Sequence, residues 1–274
     1  MDKQDTLTSR VPLVRVRDHL AECAEDEVVK EVPITIFLNE QEFVTIVCSP
    51  FAIDALVAGF LFGEGIVTDR KELLDIKVLP EEGLVWVETS RFTPVESFFL
   101  KRCLASCCGR GRSTFYFKND AGLKPLETDL TGFAVTIDQI KMLNEEREKR
   151  SETFRATGGV HNAALCTPRE ILYFYEDIGR HNAVDKILGR AFLNGTSFRN
   201  KIIFLSGRIS SEIIIKAARA GVPLIVSRAA PTDLALSMAE NLNISVVGFA
   251  RGNRLNIYAR PERVKVEATD GNEK

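Results

Sequence analysis

Residues 201–228 read KIIFLSGRISSEIIIKAARAGVPLIVSR, and this run decides the fold class. Lys201 to Leu205 and Pro223 to Val226 are short apolar blocks of strand type, bounded by turn residues. Between them Ser210 or Ser211 is placed to cap a helix that carries Ile214, Ile215 and Ala218. A strand, a helix and a second strand make a crossover unit, which sets the two strands parallel in one sheet. The alternation continues on both sides. Upstream, Ile171 to Tyr175 forms a strand, and Val184, Ile187, Leu188, Ala191 and Phe192 repeat at helical spacing. Downstream, Thr232 caps a helix bearing Leu234, Ala235, Met238, Ala239 and Leu242, and Ile244 to Phe249 is another strand. Asn256 to Ala259 adds a last strand, and Glu262 to Lys274 reads as a frayed tail. Residues 101–274 are therefore expected to form an α/β domain with a mostly parallel sheet.

Residues 1–100 read as a smaller α+β region. Val11 to Arg17, Pro33 to Leu38, Phe43 to Cys48, Ile76 to Leu79 and Leu84 to Thr89 have strand character. Ser49-Pro50 offers an N-cap and a first-turn proline for a helix with Ile53, Leu56, Val57, Phe60 and Leu61, stopped by Gly63 and Gly65. A short helix is expected around Asp69 to Leu74. Further on, Ser113 to Phe117 resumes as a strand, and Thr136-Ile137-Asp138-Gln139 is a capping box opening a helix to about Arg150. The end of that helix, Glu145 to Arg150, reads as a solvated charged face.

Composition narrows the class of protein. In 274 residues, 45% are hydrophobic and 27% charged, the balance of a globular chain. A formal net charge of −2 gives no basic field for bulk nucleic-acid binding. The opening MDKQDTLTSR has no apolar core of a secretory signal, and the most apolar run, Phe51 to Val67, is broken by Asp54 and Glu64. Six cysteines in this setting read as thiols rather than a disulfide framework. The expectation is a cytoplasmic protein with neither membrane nor nucleic acid as partner.

Two groups of residues carry chemistry. The first is Lys101-Arg102-Cys103-Leu104-Ala105-Ser106-Cys107-Cys108-Gly109-Arg110-Gly111-Arg112, which sets three cysteines among four basic side chains. A thiol reacts as its thiolate, and neighbouring cations favour that form. The segment reads as an electropositive loop carrying nucleophilic sulfur, against the plainer reading of a buried structural cluster. The second group lies at the strand ends: Asp177-Ile178-Gly179-Arg180-His181-Asn182, Ser206-Gly207-Arg208, Ser227-Arg228 and Phe249-Ala250-Arg251-Gly252-Asn253-Arg254. Ligands of open parallel sheets bind beyond the carboxyl ends of the strands. Repeated arginines there suit phosphate, so a phosphorylated, nucleotide-containing ligand is expected. No GxGxxG or Walker-type loop is present. His161 and His181 sit in glycine-containing loops, as proton-transfer or ligand-orienting groups or as satisfied structural residues. No C-x-x-C pair is present.

Four blocks resemble the FdhD family: TGGVHNAAL at 157–165, EDIGRHNAVDKILGRAF at 176–192, SGRISSEIIIKAARAGVPLIVSRAAPTDLA at 206–235, and VVGFARGNRLNIYA at 246–259. The resemblance implies a cytidine-deaminase-like, three-layered α/β core without that fold's zinc, whose ligand signature is missing here. It also implies a sulfur carrier needed for formate dehydrogenase activity. Such a carrier takes sulfane sulfur from a cysteine desulfurase as a persulfide and delivers it to the Mo-bis(molybdopterin guanine dinucleotide) cofactor, for which a guanine nucleotide would be a mimic. Carried over by position, Cys107 takes the place of the persulfide-forming cysteine, and Phe249 to Arg254 match the block assigned to the molybdenum cofactor. The family's second loop cysteine corresponds to Arg110, so Cys108 or Cys103 would have to substitute in a two-cysteine relay. Arg180, Arg208 and Arg228, with Ser206 and Gly207, join the expected cofactor site, and Asp177, His161 and His181 would orient guanine or pterin groups. A homodimer would bring two sites to a two-armed cofactor. Two other classes remain open: a thiol-disulfide redox protein using vicinal Cys107 and Cys108, and a non-catalytic chaperone that only presents a nucleotide cofactor to its client.

Overall fold

A computed structural model of the chain describes residues 7–90, 123–126 and 133–266. The element order begins β1 (Thr8–Arg17), β2 (Leu20–Val29), β3 (Val32–Leu38), β4 (Gln41–Cys48), α1 (Ile53–Gly63), β5 (Leu73–Leu79) and β6 (Leu84–Thr89). It continues β7 (Val135–Thr136), α2 (Ile137–Lys149), α3 (Glu152–Thr157), β8 (His161–Cys166), β9 (Ile171–Asp177) and α4 (Arg180–Leu193). It closes with β10 (Ile202–Leu205), α5 (Ser211–Ala220), β11 (Leu224–Ser227), α6 (Asp233–Asn241), β12 (Ser245–Arg251), β13 (Arg254–Ala259) and β14 (Val264–Lys265). The described residues fall into two compact units, one of residues 7–90, 151–163 and 175–196, the other of residues 123–126, 133–150, 164–174 and 197–266.

In the first unit, β1 and β2 form an antiparallel ribbon turned at Asp18 and His19, both at positive φ, as a two-residue hairpin requires. LAECAEDEVV does not read as a strand, because it carries four acidic residues. The register explains it: Arg15 lies opposite Glu22 and Arg10 opposite Glu27, so cross-strand charge pairs stand in for apolar alternation. A four-stranded sheet follows in the order β4-β3-β6-β5. Ile34, Ile36 and Leu38 alternate into its buried side, while Phe37 stacks on Trp86 at 4.3 Å. Nearly all of α1 is buried, and it crosses α4 with backbone against backbone. A Cβ on Gly59 would stand 1.8 Å from the Asp185 carbonyl oxygen, and one on Gly189 1.9 Å from that of Ala55. Only glycine permits that approach. The expected Ser49-Pro50 cap is not formed. The helix opens at Ala52, in the left-handed region, because the Ser49 hydroxyl accepts a hydrogen bond from the Ile178 N–H instead.

In the second unit the strand-helix alternation produces parallel pairs, with Ile202 opposite Leu224 on β10 and β11, and Leu224 opposite Ser245 on β11 and β12. β13 returns antiparallel to β12 across a bulge. The complete sheet order is β13-β12-β11-β10-β8-β9. Consecutive β9 and β10 are therefore not neighbours. β8, not expected from the sequence, lies between them. Phe204, Val226, Val247, Ile140 and Leu143 lie in one apolar cluster, and Thr136 caps α2 with the expected capping box to Gln139. The tail departs from expectation as well: residues 261–263 form a 3-10 turn, and β14 pairs parallel with β7. Among the described residues no helix is long and apolar enough to cross a membrane.

Candidate functional site

In the second unit, three strand ends are tied together by their own hydrogen bonds. β11 ends at Ser227, whose buried hydroxyl donates to the Gly207 carbonyl at 2.6 Å and accepts from the Ala229 N–H at 2.9 Å. The Phe249 N–H donates to the Ala229 carbonyl at 3.2 Å, and Arg251 Nε donates to the Arg228 carbonyl at 2.9 Å. Ser206-Gly207-Arg208, Ser227-Arg228 and the start of Phe249 to Arg254 thus form one laced platform. Arg208, Arg228, Arg251, Gly252, Asn253 and Arg254 are exposed on it, with Ala250 buried and Phe249 half-buried. Phe249 has φ +51°, an outlier for a bulky side chain.

The platform is also anchored to α2. Asn144 Nδ2 donates to the Ala250 carbonyl at 3.3 Å, and its Oδ1 accepts from an Arg147 amino group at 2.8 Å. Arg147 is 1% exposed, which corrects the reading of residues 145–150 as a wholly solvated face. Burial pulls its guanidinium down to about 10, with Glu148 opposing the shift and Arg228 adding to it. Glu148 Oε1 sits 3.2 Å from Arg228, so one of the candidate phosphate arginines already holds a carboxylate. Both partners are half-exposed, and such a pair contributes little to stability.

The first unit holds the other strand-end loop. Asp177 and Lys186 are both fully buried and 2.6 Å apart. The Asp177 carboxylate also accepts from the backbone of Ser49 and Gly179 and from Asn182 Nδ2. Lys186 Nζ donates in addition to the Ser49 carbonyl at 3.2 Å. With four donors on its two oxygens, Asp177 shapes the loop that presents Arg180 and His181; it does not present a carboxylate itself. His161, at the start of β8, titrates below its ordinary value, chiefly through burial and then through Arg180, with Asp177 opposing. His161, Asp177 and Arg180 therefore share one electrostatic neighbourhood. Sequence reasoning missed Ser49, Lys186, Asn144 and Glu148. For Lys186 a signal existed: Asn182 and Lys186 stand one helical turn apart behind Gly179.

The cysteines divide sharply. Cys48 is sealed and its thiol is pushed up to about 12 by burial, then by Asp177. Cys166 is also sealed, and burial drives its thiol higher still against the pull of Arg147 and Arg150. Neither can supply a reactive thiolate. Cys23 is exposed on acidic β2. Cys103, Cys107 and Cys108 lie outside the described residues. Among the described residues no group of three or more His, Cys, Asp or Glu side chains is arranged to hold a metal ion.

Comparison with known proteins gives the geometry a context. A protein of Listeria monocytogenes serovar 1/2a named Sulfur carrier protein FdhD is 48% identical over 241 residues, covering 88% of this chain and 92% of the Listeria protein. The protein of the same name from Bacillus subtilis is 44% identical over 242 residues, 88% of this chain and 91% of its own. Among solved structures, a candidate formate dehydrogenase accessory protein from Desulfotalea psychrophila superposes with a TM-score of 0.75 at 27% identity, covering 94% of this chain and all of that one. The model of the FdhD/NarQ family matches residues 29–265. Those residues take in both the buried Asp177 cluster and the laced arginine platform, and the chain belongs to the FdhD/NarQ family.

Proposed function

We propose that this chain is a sulfurtransferase of the cytoplasm, a sulfur carrier required for formate dehydrogenase activity. The Cys107 thiolate attacks the terminal sulfur of a cysteine desulfurase persulfide. The donor's sulfur–sulfur bond breaks, the desulfurase cysteine leaves as thiolate, and a new sulfur–sulfur bond forms on Cys107 with no net oxidation. The substrate that receives the sulfur is the Mo-bis(molybdopterin guanine dinucleotide) cofactor, bound through its phosphates. The observation that carries this reading is the platform of Arg208, Arg228, Arg251 and Arg254, exposed on loops tied to one another. Fixed guanidinium forks suit phosphate oxygens. The parallel β10-β11-β12 order with helices between supports the cytidine-deaminase-like core. His161 and His181 would orient a ring of the substrate, and a homodimer would meet both of its arms. The sealed state of Cys48 and Cys166 narrows the carrier to Cys23 or the cysteines of residues 103–108.

The test is intact-protein mass spectrometry after incubation with a cysteine desulfurase and cysteine. Wild type is run beside Cys23→Ser, Cys103→Ser, Cys107→Ser and Cys108→Ser. An adduct of about 32 Da that a reductant removes, missing only in Cys107→Ser, is the expected result. A loss of about 2 Da in place of the adduct, the mass of a Cys107–Cys108 disulfide, overturns it. So does a Cys107→Ser variant that still activates formate dehydrogenase.

A further inference from the structure

We propose that Tyr258, with Phe249, is a stacking surface for the flat base of a nucleotide arm. The inference rests on the reading of residues 249–254 as a phosphate-binding loop and extends it to a residue outside that loop. Tyr258 is 37% exposed on β13, with its ring 6.5 Å from that of Phe249 and tilted by 42°. Three features hold the pair. Phe249 keeps φ +51° inside the β12–β13 bulge, a backbone state that costs energy for a bulky residue and persists only where its surroundings impose it. Gly248 leaves the space the tyrosine needs, since a Cβ there would stand 2.9 Å from Tyr258 Cε2. Asn256 Nδ2 donates to the Tyr258 hydroxyl at 3.2 Å, which fixes the outer end of the ring.

An exposed, oriented aromatic ring against Phe249, on the same strand pair as the exposed Arg251 and Arg254, matches the two ends of one ligand. The phosphates take Arg251 and Arg228, already joined by the bond from Arg251 Nε to the Arg228 carbonyl, and the base takes the ring. Stacking tolerates any flat heterocycle because every base has a π-face. The surface therefore selects for the presence of a base, and the chemical class is a nucleoside diphosphate.

The probes are GDP and inorganic pyrophosphate, titrated by calorimetry into wild type, Tyr258→Ala, Tyr258→Phe and Arg251→Ala. Tyr258→Ala is expected to weaken GDP about tenfold and to leave pyrophosphate unchanged. Tyr258→Phe retains the ring and is expected to bind GDP as wild type does. Arg251→Ala weakens both probes. Equal loss of both probes in Tyr258→Ala would mean that the tyrosine only shapes the loop, and would overturn the proposal. Unchanged GDP affinity in Tyr258→Ala overturns it while the phosphate reading stands. If wild type binds neither probe, the phosphate reading itself fails and takes the stacking surface with it. Should Tyr258→Ala misfold, a nuclear Overhauser contact between guanine H8 and the Tyr258 ring in wild type decides: its presence supports the surface and its absence overturns it.

Discussion

Around Asp177 the charged groups face inward. A fully buried carboxylate meets a fully buried ammonium at 2.6 Å, and backbone and amide donors fill the remaining lone pairs. Around Phe249 the arrangement is reversed. The backbone is tied inward, and the guanidinium groups of Arg208, Arg228, Arg251 and Arg254 reach the surface. Both regions lie at the carboxyl ends of strands. One uses its charged groups to hold a loop still; in the other a hydroxyl, one guanidinium Nε and a backbone N–H hold the loops through carbonyl groups, and the guanidinium ends stay exposed. What the charged side chain meets, a fully buried counter-ion in one and a backbone carbonyl in the other, distinguishes the two strand ends.

That contrast can be broken most forcefully at Lys186. Lys186→Met leaves the Asp177 carboxylate buried without its cation, a change expected to cost about 3–5 kcal/mol, read from urea unfolding. A loss below about 1 kcal/mol, the range of an exposed pair, would mean that water reaches Asp177 and the contrast is false. Next in size is Gly189→Ala, where the new Cβ would strike the Ala55 carbonyl oxygen and push α1 from α4. Overpacking of this kind costs about 1–3 kcal/mol. In the other region the signs separate. Arg251→Ala is expected to leave unfolding within about 0.5 kcal/mol of wild type while removing about 1.5–3 kcal/mol of a charge-assisted phosphate contact. A fall in stability with unchanged GDP affinity would recast Arg251 as structural.

The smallest effect is a pH dependence. His161 titrates below its ordinary value of 6.5 in the folded protein, so it favours the neutral imidazole. Above 6.5 both states are neutral and the preference has no effect. As pH falls below 6.5 the unfolded chain takes up a proton first, and stability drops until the folded pKa is passed. Urea midpoints at pH 7.5 and 5.5 are expected to differ less in His161→Gln than in wild type. Equal differences would remove His161 from the buried neighbourhood.

How far the sequence reveals these regions depends on where each residue's partner lies. Thr136 and Gln139 were legible as a capping box because each is the other's partner within one turn. Arg208, Arg228 and Arg251 were legible because a strand of known length must end where they stand. Arg147 was not, since its letters match its solvated neighbours and its burial comes from the fold, where Asn144 joins it to the Ala250 carbonyl. Ser49 reads as a helix cap in isolation, and its hydroxyl is instead taken by Ile178, 129 residues away. β2 was hidden by its acidity, which makes sense only opposite the arginines of β1. Partners within one element can be read from the chain, whereas partners across the fold cannot.

The Ser227 hydroxyl and Arg251 Nε join three loops through carbonyl groups of the protein itself. Fixing a backbone residue costs about 1–2 kcal/mol of entropy, and here folding has already met that cost before any ligand arrives. On the proposed nucleotide reading, binding is therefore expected to behave as rigid docking, with a heat-capacity change no larger than the ligand's own buried apolar area accounts for.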